Sequence, residues 1–62
     1  MMDKKIVMEK ISQTEMDYLE LIEWLKTNKI ISIAGKAHSQ ITMANTLFIL
    51  RSLIEERYKE QQ

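Results

Sequence analysis

Thr46 is followed by Leu47, Phe48, Ile49 and Leu50, four bulky apolar side chains in succession. Successive helical residues turn by about 100°, so four of them encircle the helix. Only a helix covered on several sides is apolar all round. Met43, Leu47, Leu50, Ile54 and Tyr58 recur at spacings of four, three, four and four, which predicts a helix over 39–60 with Ser39 as its N-cap. Ile41, Ala44 and Phe48 flank this main face on one side, and Ile49 and Leu53 on the other. Asn45, Ser52 and Glu56 leave only a thin polar strip.

The stretch "ISQTEMDYLELIEWLKTN" predicts a first helix over 12–28. Ser12 and Glu15 have the spacing of a capping box, and Ile11 and Met16 that of a hydrophobic staple. Glu15 and Asp17 suit the positive end of the helix dipole, and Asn28 is a plausible left-handed stop. Tyr18, Leu21, Ile22 and Leu25 form a single core face. Residues 1–11 then read as an N-terminal arm, either a short strand or an extra helical turn. Residues 29–38, "KIISIAGKAH", read as a connector with some order, a strand or a short helix packed through Ala34, Gly35 and Ala37.

The expected fold is therefore mainly all-α: one domain over 1–62, an antiparallel helical hairpin with a short ordered connector. Helix 1 has one apolar face to offer and helix 2 has several to cover. A second copy is expected to supply the rest, giving a homodimer of four-helix type. Met43, Leu47, Phe48, Leu50, Leu53 and Ile54 are the expected dimer interface.

Length sharpens that expectation. A chain of 62 residues removes only about 60% of its unfolded surface from water on folding, and such scaffolds usually need a staple. There is no Cys, and His38 is the only His, so a disulfide or a zinc site is not the staple. No cofactor is expected. Nine basic residues balance nine acidic ones, which argues against nonspecific binding to nucleic acid or membrane as the main task. No apolar run approaches the roughly 18 residues of a membrane span, nor is there a signal-peptide core. A cytoplasmic protein is expected. Its many isoleucines and its preference for Lys over Arg hint at a bacterial or phage source.

An enzyme is not expected. "GK" at Gly35–Lys36 lacks the earlier glycine of a phosphate-binding loop. One His, scattered Ser residues and solvated carboxylates make no nucleophile–base arrangement, and no small-molecule substrate is implied. Protein binding fits better. Trp24, at the edge of the first helix beside Asp17, Glu20 and Glu23, suits a hot-spot anchor with an acidic surround. The expected function is a small dimeric, non-enzymatic regulator that binds a larger protein, such as a transcription or signalling factor.

The alternative is a dimeric DNA-binding regulator. "IAGKAHSQITMANTLFIL" resembles a helix-turn-helix, with His38 at the position that usually holds the turn glycine. The order "KKIVMEKIS", helix, helix is similar to the ribbon-helix-helix repressors, with Lys4, Lys5 and Lys10 on the paired strand. These resemblances imply Lys5, Lys36, Gln40, Thr42 and Asn45 as DNA contacts. Against them, residues 1–11 carry +1 and 28–40 carry +2, few charges for holding several phosphates. In size and shape the chain also resembles helical-hairpin regulators of signalling kinases and phosphatases. "NTLFILRSLI" has the apolar spacing of one such group, with Arg51 where that group carries Asp.

Overall fold

The structure, a computed structural model, describes residues 2–60. Met1, Gln61 and Gln62, which the single-domain reading includes, lie outside the described residues. Two helices make up the fold: α1, Lys4–Thr27, and α2, Ile33–Lys59. They pack against each other as a hairpin, and no strand occurs among the described residues.

The first helix starts well before Ser12. Asp3 is its N-cap, and the Asp3 carboxylate accepts a hydrogen bond from the Lys5 N–H at 2.8 Å. A capping box contributes about 1 kcal/mol. Starting at Lys4 adds two turns and brings Val7, Met8 and Ile11 into partial burial, which outweighs it. The apolar seam of α1 extends backwards with a heptad-like rhythm: Met8, Ile11, Tyr18, Ile22, Leu25. The hydroxyl of Thr14 is absorbed into the helix, donating to the Lys10 carbonyl at 2.8 Å.

The second helix also starts early. Ser32, not Ser39, is its N-cap, with the Ser32 Oγ accepting from the Gly35 N–H at 3.0 Å. Residues 33–38 are therefore helix, and the connector shrinks to 28–32. A Cβ built on Gly35 would meet Ser32 Oγ at 3.4 Å and Ile31 Cβ at 3.6 Å, ordinary contacts rather than a close backbone approach. The left-handed residue of the turn is Lys29, with φ 61°, one place beyond the expected Asn28. The Ile30 N–H bonds to the Leu25 carbonyl at 2.9 Å and the Lys29 N–H to that of Lys26 at 3.0 Å, the bond pair of a Schellman stop. Asn28 stays near φ −87° and donates from its side chain to the Trp24 carbonyl at 2.8 Å.

The core is thin. Among the described residues only Ile22 (2% exposed) and Leu47 (8%) are buried apolar side chains. The hairpin is long and flat, 48 × 17 × 10 Å, with a radius of gyration of 14.6 Å against about 10.6 Å for a compact domain of this length. No helix among the described residues is long and apolar enough to cross a membrane.

Candidate functional site

The seam divides the expected dimer-interface residues. Leu47 is buried and Met43 and Ile54 are half-buried, on the stripe of α2 that α1 covers, while Phe48, Leu50 and Leu53 are exposed. Phe48 and Leu53 are five residues apart, about 140° around the helix, so they lie on opposite flanks of the hairpin.

The two flanks differ in chemistry. One is laced by ion pairs between the helices: Lys4 with Glu55 at 2.6 Å, Arg51 with Glu15 at 3.4 Å, and Lys36 with Glu23. Lys26 adds a 3.7 Å contact to Glu23. The hydrogen bond from Lys36, and then the charge of Lys26, hold the Glu23 carboxyl below its ordinary pKa. Phe48, 71% exposed, and Ile41, 62% exposed, share this flank.

The other flank carries a mainly apolar groove of about 240 Å³ between the helices, lined by Thr14, Glu15, Tyr18, Thr42, Met43, Thr46 and Leu47. Thr14 belongs to the ridge Lys10–Thr14–Asp17–Leu21 of α1, and Thr46 to the ridge Thr42–Thr46–Ile49–Leu53 of α2. Lys10 and Asp17 form no salt bridge among the described residues. Asp17 accepts only the Gln13 amide, at 3.0 Å.

Trp24 is 59% exposed. Its position, two residues beyond buried Ile22, is about 200° from the seam, so the indole stands on the outer face of α1 rather than at the edge of a core. The acidic residues around it separate. Glu20 and Asp17, one and two turns away, share this outer face, Asp17 on its groove side, while Glu23 is held by Lys36 and Lys26 on the opposite flank.

The DNA-contact candidates do not share a surface. Helix α2 is continuous through His38 and Ser39, so the turn of a helix-turn-helix is absent there. Residues 4–10 are helical, so the paired strand of a ribbon-helix-helix is absent too. Lys36 pairs with Glu23, Gln40 is half-buried on the seam side, Thr42 lines the groove, and Lys5 and Asn45 are exposed elsewhere.

At the open end of the hairpin the Tyr58 hydroxyl donates to the Met2 carbonyl. No group of His, Cys, Asp and Glu that could hold a metal ion occurs among the described residues. The sequence places Lys10 on an expected strand and Asp17 beside Trp24; their seven-residue interval sets them on one ridge of α1. No protein-family model, curated protein or solved structure matches the chain.

Proposed function

We propose that the chain is a small non-enzymatic interaction module that associates with itself and docks on a larger protein, such as a transcription or signalling factor, whose activity it modulates. One observation carries this reading. Among the described residues, two large apolar side chains are buried and fourteen are exposed, an excess of sticky surface that soluble monomers rarely carry. Self-association takes part of that surface. The outer face of α1, with Trp24 as anchor and Glu20 beside it, is the docking point for the larger partner.

Affinity capture from the native host, with and without nuclease, tests this in one assay. Wild type retains a protein partner after nuclease treatment. Trp24→Ala keeps its helicity and its self-association but loses the partner, since truncating an anchor of this kind costs about 2 kcal/mol or more. Equal capture by the variant, or a partner that disappears with nuclease, overturns the reading.

A further inference from the structure

We propose that a second copy of this chain docks on the groove flank, about a two-fold axis passing between Thr14 and its symmetry mate. This rests on the self-association reading above and names its surface.

Area comes first. The chain exposes 5107 Å², where a compact monomer of its mass exposes about 4,200 Å². The excess of about 900 Å² is close to one protomer's share of a standard interface, about 800 Å².

Charge selects the flank. On the ion-paired flank Lys4, Arg51 and Lys36 are each matched to a carboxylate of the other helix within the hairpin. On the groove side of α1, Lys10 and Asp17 are opposite in sign, form no ion pair among the described residues, and lie seven residues apart on one ridge. An antiparallel two-fold axis midway between them brings each Lys10 to the second copy's Asp17, so both pairs form at once. Such self-matching is what an isologous contact demands.

Size agrees with charge. Lys4 stands level with Glu55 and Glu23 with Lys36, which sets the midpoint of Lys10 and Asp17 level with Asn45 and Thr46. The same axis therefore crosses α2 at Thr46 and sets Leu50 and Leu53 opposite Thr42 and Ser39 of the second copy. Large side chains face small ones across the joint, the arrangement in which facing layers interdigitate.

The absence of Cys makes the test direct. Helices packed about 8–10 Å apart place facing Cα atoms within disulfide reach. Thr14→Cys, oxidised mildly, gives a covalent dimer of unchanged helicity, whereas Ala44→Cys on the ion-paired flank does not. Sedimentation gives a second readout. Lys10→Glu weakens the dimer about tenfold, since two pairs become two repulsions, and Lys10→Glu/Asp17→Lys restores it. If wild type is a dimer but Ala44→Cys links instead of Thr14→Cys, or the double variant is as weak as the single, the face is wrong and self-association stands. If wild type is a folded monomer at micromolar concentration, the self-association reading fails and takes this inference with it.

Discussion

The two helices differ by only three residues in length yet place opposite demands on their surroundings. α1 turns Met8, Ile11, Ile22 and Leu25 towards the seam and leaves most of its charge outside, with Ile6, Met16 and Trp24 also exposed. α2 carries apolar residues on every side, from buried Leu47 through exposed Phe48 and Ile49 to Leu50. A hairpin covers one stripe of each helix, which suits α1 better than α2. α1 therefore acts as the cover, and α2 is left with apolar surface on both flanks of the hairpin.

The sharpest way to break this comparison is to put the same charge on two neighbours. Leu47→Asp buries an unpaired carboxylate in the seam and should abolish helicity by circular dichroism, a loss of several kcal/mol in a molecule with little to spare. Phe48→Asp, one residue on, should leave helicity and self-association within about 0.5 kcal/mol of wild type, as exposed substitutions usually do. A Phe48→Asp variant that unfolds would show that this flank too is covered.

A smaller effect should come from the turn. Lys29 holds a left-handed backbone that costs a side-chain-bearing residue about 1 kcal/mol. Lys29→Gly should therefore raise the unfolding midpoint by the equivalent of about 0.5–1 kcal/mol.

The smallest effect concerns the ion-paired flank. Glu23 has a lowered pKa in the folded chain, so its pairing stabilises above the ordinary carboxylate range and is lost as pH falls through the folded value. Glu23→Gln should lower the midpoint slightly at neutral pH. The gap should narrow as pH falls below the ordinary carboxylate range.

Much of the hairpin was legible in the sequence, and the late starts of both helices share a cause. The seam residues Ile22, Leu25, Met43, Leu47 and Ile54 follow from periodicity, and so do the C-terminal limits of both helices. Both starts were placed too late, because Ser12 and Ser39 are good local caps that lie inside longer helices. Local capping competed with seam packing from Val7, Met8 and Ile11 in α1, and with the equally good cap at Ser32 in α2. The groove was not legible. Its threonines lie on two different helices, and only the pairing of the helices shows that they border a shared channel. For Trp24 the sequence indicated an edge, whereas two residues of helical rotation beyond Ile22 carry it to the outside.

That position gives the molecule a built-in optical reporter. The sole indole stands in solvent on the far side of α1, so its emission is nearly blind to whether the hairpin is open or closed. A blue shift at constant ellipticity would instead announce that something has landed on the outer surface.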